Sequence, residues 1–227
     1  MNATTRTLSI DGPAGRIDTA ADSPAVTARG LAVIAHPHPL FGGTRDNKVV
    51  QTLARTLVGL GYLALRPNFR GVGDSAGSHD EGRGETEDLL AVVRHGLADP
   101  ALAHLRPSIP LVLAGFSFGS FVQSRVAVRL RAEGVAVARM ILVGTATGRF
   151  EVERVPADTL LIHGELDDVV PLQSVLKWAR DGEAPVVVIA GADHFFHRKL
   201  TVIKRIILQS WGRVDPAEAS SDASLQD

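Results

Sequence analysis

Short, nearly uninterrupted apolar runs constrain this chain more than any other feature. They are "LAVIA" (31–35), "YLALR" (62–66), "LVLAG" (111–115), "MILVG" (140–144), "TLLIHG" (159–164) and "VVVIAG" (186–191). A strand with one wet face alternates apolar and polar residues, whereas a strand covered on both faces does not. Runs this short are also too brief for buried helices. They read as strands of a parallel sheet packed between helices. Segments with helical apolar spacing separate them, at 46–59, 84–98, 118–132, 171–181 and 197–211. Such alternation predicts a doubly wound α/β sheet with helices on both faces. The start of the chain departs from the pattern. "TLSI" and "GRIDTA" flank the turn-rich "DGPAG" and predict an antiparallel hairpin at the sheet edge, which brings the count to about eight strands.

At 227 residues the chain suits one α/β domain with a well-buried core. Residues 1–212 are read as that domain, and the small, polar, acidic tail 213–227 as disordered. The stretch "GTATGRFEVERVPAD" between two strands is too short for a cap domain. Lys and Arg number 24 against 25 Asp and Glu, and the basic residues are scattered, so a nucleic-acid footprint is absent. Cysteine is missing, which excludes disulfides, thiolate metal sites and a cysteine nucleophile. No apolar run approaches the ~18 residues a membrane span needs, and "MNATTRTLSIDGPAG" lacks a signal-peptide pattern. A cytoplasmic protein is expected, as a monomer or weak dimer.

One strand ends unusually. In "LVLAGFSFGSFVQ" (111–123) a buried run stops at a serine set between Gly115 and Gly119, and a helical pattern begins at once. This G-x-S-x-G lies where the motif has mechanical meaning, in a turn so tight that its flanks must be small. Ser117 is the expected nucleophile, with the helix N-terminus favouring negative charge beside it. A serine needs a base and the base an orienting carboxylate. Downstream strand ends supply both: Asp167 or Asp168 in "GELDDVVP", then His194 in "GADHFF". The chain order Ser, Asp, His is that of α/β-hydrolases. His197 is read as capping or solvated, and His163 as a hydrogen-bonded core histidine.

An oxyanion hole needs two backbone N–H donors. Phe118, following the nucleophile, is one. The other is sought in "HPHPLFGGT" (36–44), where Pro37 and Pro39 have no N–H and leave His38 or Leu40. His36 and His38 also stand at i, i+2, a spacing two metal ligands can use; structural hydrogen bonding is the preferred reading and no metal is expected. Arg70, in the glycine-rich loop 67–83 that is expected to border the site, is read as bracing backbone carbonyls. Glu85 and Asp88 are read as routine acids near a helix start. Phe41, Phe69, Phe118, Phe195 and Phe196 are apolar candidates for the substrate pocket.

From "LAVIAHPHPLFGGT" through "PNFRGVGDSAG", "GFSFG" and "HGELDDVVP" to "GADHFF", nearly the whole chain resembles the small lidless bacterial α/β-hydrolases of the serine esterase-like kind. That resemblance implies the α/β-hydrolase fold without a cap domain. It puts the acid on Asp167, and favours His38 for the second oxyanion N–H. It implies a cofactor-free serine hydrolase acting on small or short-chain carboxylic esters. Thioesters or small amides are alternative substrates, and a non-catalytic ligand- or partner-binding member of the fold is the alternative from another class.

Overall fold

A computed structural model describes residues 4–211; the tail assigned to 213–227 lies outside that range. The N-terminal hairpin pairs β1 (Thr4–Gly12) with β2 (Gly15–Ser23), antiparallel throughout. Then come β3 (Gly30–Ala35), α1 (Lys48–Gly59), β4 (Tyr62–Pro67), α2 (Arg83–Leu97), β5 (Leu111–Phe116) and α3 (Phe118–Ala132). The chain continues through β6 (Arg139–Val143), β7 (Leu160–Gly164), α4 (Leu172–Arg180), β8 (Val186–Ile189) and α5 (Leu200–Trp211). One eight-stranded sheet results, in the order β1-β2-β4-β3-β5-β6-β7-β8. It is parallel from β4 to β8, while β2 joins β4 antiparallel. This is the α/β-hydrolase fold without a cap.

The apolar runs are continuous because both faces of the sheet are core. Along β3, Leu31, Val33 and Ala35 enter one cluster with α2 and α3, while Ala32 and Ile34 enter a second with α1 and α5. Successive side chains of a strand point to opposite faces, so a two-sided core demands apolar residues at every position. No helix among the described residues is long and apolar enough to cross a membrane.

Topology fixes where a site can form. From β3 the chain steps outward to β4, then crosses back to β5 on the other side of β3. The loops leaving β3 and β5 therefore diverge from adjacent strand ends and open a crevice at the C-terminal edge of the sheet.

Candidate active site

The turn from β5 into α3 is built around two close approaches. A Cβ at Gly115 would stand 2.5 Å from the Gly119 carbonyl oxygen, and one at Gly119 would stand 2.4 Å from that of Ala35. Both obstacles are backbone, which cannot swing away. With the flanks stripped to hydrogen, Ser117 takes φ 55 and ψ −118. That sparsely populated conformation is held by its own N–H to the Val143 carbonyl (2.9 Å) and by the Ser120 N–H to its carbonyl (2.9 Å).

Three side chains that are distant in sequence meet here. Ser117 Oγ lies 3.0 Å from His194 Nε2, and His194 Nδ1 lies 2.7 Å from Asp167 Oδ2. A carboxylate only accepts, so the imidazole proton sits on Nδ1 and leaves Nε2 to accept from the serine hydroxyl. Asp167 is itself fixed: its Oδ1 accepts from the N–H groups of Val169 (3.0 Å) and Val170 (2.7 Å). Its neighbour Asp168 is exposed. The His194 ring packs against Phe116 and Phe195, at centroid distances of 5.1 and 5.2 Å.

The loop after β3 approaches from the other side. Its 3₁₀ turn, Pro39–Phe41, is closed by N–H groups of Phe41 and Gly43 donating to the His38 carbonyl. Leu40 donates its N–H to His38 Nδ1 (3.3 Å), so the Leu40 amide is engaged within its own turn and drops out as the second donor. Among the described residues, the N–H groups of His38 and Phe118 have no acceptor. His36 cannot serve as a metal ligand. Its Nδ1–H donates to the Pro37 carbonyl (2.6 Å) and its Nε2 accepts from the Phe69 N–H (2.9 Å), occupying both nitrogens.

Between these loops lies a cavity of about 340 Å³ with Ser117 and His194 in its wall. Phe41 and Phe195 line it, as the sequence suggests. Phe69 and Phe196 do not, and both expectations are corrected. Phe69 is buried, its ring 4.4 Å from His36 and 5.5 Å from Phe118, and supports the loop from behind. Phe196 is fully buried in the core on the α1/α5 face. Phe118 belongs to the cavity wall, with its side chain buried among Phe69, Phe121 and Phe150. Missing from the sequence reading are Ala146, Arg149 and Phe150, from the β6–β7 connection, and Val169 beside the acid. That connection leaves the same sheet edge as the other loops, which was the signal available.

A protein-family model described as a thioesterase domain matches residues 62–176, from β4 into the first half of α4, half of the chain. The chain belongs to the thioesterase-domain family. This thioesterase-domain chain is 30% identical over 212 residues to an uncharacterised protein of Rickettsia prowazekii, across 87% of its own length and 85% of the other's. It is similar to the structure of a lidless α/β serine hydrolase from Xanthomonas campestris, at 35% identity and TM-score 0.81, covering 94% of this chain and 96% of that one. An α/β serine hydrolase homologue from Coxiella burnetii gives 36% identity and TM-score 0.77, over 90% and 96%.

The other polar residues that the sequence singles out in this thioesterase-domain protein have structural partners. His163 is buried and donates Nε2–H to the Val170 carbonyl (2.9 Å); burial holds its pKa below the ordinary value. His197 is exposed and pairs with Asp193 (2.6 Å). The 67–83 loop does not line the cavity but braces the loop after β3, with the His79 ring packed at a tilt against His38, centroids 4.7 Å apart. Arg70 reaches the Gly84 carbonyl (2.9 Å) and makes a bidentate pair with Asp88. Glu85, fully buried in the first turn of α2, meets the helix-start reading by accepting from the N–H groups of Gly82 and Asp80, while Asp88 is the specific partner of Arg70.

Proposed function

We propose that the protein is a serine hydrolase of small or short-chain carboxylic esters. The observation that carries the reading is the continuous relay from Ser117 through His194 to Asp167 at the wall of a cavity. In the reaction, Ser117 Oγ attacks the ester carbonyl as its proton passes to His194 Nε2. Asp167 holds the imidazole in orientation and stabilises the imidazolium. The oxyanion is held by the N–H groups of Phe118 and His38. Collapse of the tetrahedral species breaks the bond to the alcohol oxygen, which leaves with the proton from His194. Water, deprotonated by the same imidazole, then releases the acid and restores the serine.

A cavity of about 340 Å³ sits at the small end of ligand sites, which supports short acyl groups. The family's description as a thioesterase domain favours one second reading, a thioester in place of the oxygen ester. The site of action is read as cytoplasmic. Nitrophenyl acyl esters of increasing chain length, with matched thioesters in parallel, test both readings. Ser117→Ala should lower turnover by roughly four to six orders of magnitude. A Ser117→Ala protein that hydrolysed activated esters at the wild-type rate would overturn the assignment.

A further inference from the structure

The cavity beside Ser117 has mainly apolar walls, yet an exposed cation forms part of its lining. Arg149 lines it next to Phe150, with its guanidinium carbon 5.7 Å from the centre of the Phe41 ring. Stacking on an aromatic face restrains an otherwise mobile head without neutralising it. No Asp or Glu belongs to the lining, and among the described residues Arg149 has neither an ion-pair partner nor a hydrogen-bonded acceptor. Other arginines of this surface are unpaired too; location sets Arg149 apart. It shares one cavity with the proposed nucleophile, and Phe41, Val169 and Phe195 of the same lining offer nothing polar from their side chains.

A neutral ester gains little from a cation at this point. A carboxylate gains much, because the planar guanidinium fork matches it with two charge-assisted hydrogen bonds. Arg149 is the only Lys or Arg among the lining residues, which fits one compact anion rather than a polyphosphate carrier. We infer that the substrate is an ester bearing a carboxylate remote from its scissile bond, and that Arg149 selects it. The inference rests on the hydrolase reading and names the substrate class of that site.

The test compares matched ester pairs. One pair places the charge on the acyl side: the mono-nitrophenyl ester of glutaric acid against nitrophenyl pentanoate. The other places it on the alcohol side: an acetyl ester of hydroxybenzoate against phenyl acetate. Wild type should prefer the charged member of at least one pair, and which pair responds tells where the carboxylate sits. In Arg149→Ala that kcat/KM ratio should fall about tenfold. Arg149→Lys should restore part of it, and Arg149→Glu should drive it lower still. A purely structural role would depress both members together and leave the ratio fixed. An identical ratio in wild type and Arg149→Glu for both pairs overturns the inference. A readout without turnover separates this from failure of the hydrolase reading. Glutarate should bind calorimetrically to Ser117→Ala and about tenfold more weakly to Ser117→Ala/Arg149→Ala. Equal binding by the two counts against Arg149 as selector. Arg149-dependent binding in a wild-type protein that cleaves no ester would sink the hydrolase reading and leave carboxylate recognition standing.

Discussion

Two buried histidines near the elbow illustrate how hydrogen-bond partners divide roles at the scale of a residue. His194 keeps one nitrogen on a carboxylate and the other on a hydroxyl. His36 has both on backbone groups, and burial pushes its pKa from 6.5 down to about 4. In that window the unfolded chain binds a proton that the folded chain refuses, so stability rises with pH. The stabilisation is complete above about 6.5 and lost as the pH falls toward 4, worth about 3 kcal/mol when the window is fully crossed. Urea unfolding between pH 7.5 and 4.5 checks this. His36→Gln should be less stable at pH 7.5 but show a shallower loss on acidification; an unchanged slope would refute the assignment. His163 adds to the loss with the same sign in both proteins. The His36/His38 spacing alone was compatible with a ligand pair, because spacing does not say which backbone groups a ring will meet. The adjacent acids were alike in the same way: Asp167 is buried and Asp168 exposed, a difference made by a loop turn that no composition records.

Strands and helices were readable because local pattern and tertiary demand agree in each. Their ends were less so. The spacing predicts α1 from 46, but Asn47 caps it, its side chain accepting from the Val49 N–H (2.9 Å), and the helix starts at Lys48. The spacing likewise predicts α5 from 197, yet Phe196 and Arg198 take positive φ and delay it to Leu200. The β5–α3 elbow is the element whose geometry is least tolerant. A Cβ at Gly119 would meet the backbone oxygens of Ala35 (2.4 Å) and His36 (2.6 Å), which belong to the end of β3 and the loop carrying His38. Gly119→Ala must therefore push α3 away from that loop. It should cost about 2–3 kcal/mol of stability. It should also lower kcat more than it alters KM, because the donors at Phe118 and His38 separate. Val128→Ala, on an exposed position of the same helix, should do neither. Ester kinetics and urea melts on the pair decide it, and wild-type kcat in Gly119→Ala would refute the coupling.

At the scale of the molecule, sequence reasoning went furthest where residues lie in one chain segment and least where segments meet. Phe196 sits two residues after His194 and Phe69 opens the glycine-rich loop, but the face of the sheet each serves places them in core. The charges of the N-terminal half were also opaque, since Asp18, Asp22, Arg45 and Arg66 look scattered along the chain. Folded, they join the hairpin to the loop after β3. Arg66 makes a bidentate pair with Asp22 (2.7 and 3.2 Å) and donates to the Arg45 carbonyl (2.9 Å), while Arg45 pairs with Asp18. Two functions are combined in Arg66, and they can be separated. Arg66→Met strands a buried carboxylate and should cost about 3 kcal/mol. Adding Asp22→Leu removes that uncompensated charge and should recover most of the loss, since apolar replacement of both partners of a buried pair is often neutral. Neither protein regains the hold on the Arg45 carbonyl, nine residues from His36. If that hold positions the loop, ester turnover stays depressed in the double variant while its urea midpoint returns toward wild type. If turnover recovers together with stability, the clamp serves the fold alone, and the position of the His38 amide is set by the proline-stiffened turn and the His36–Phe69 contact.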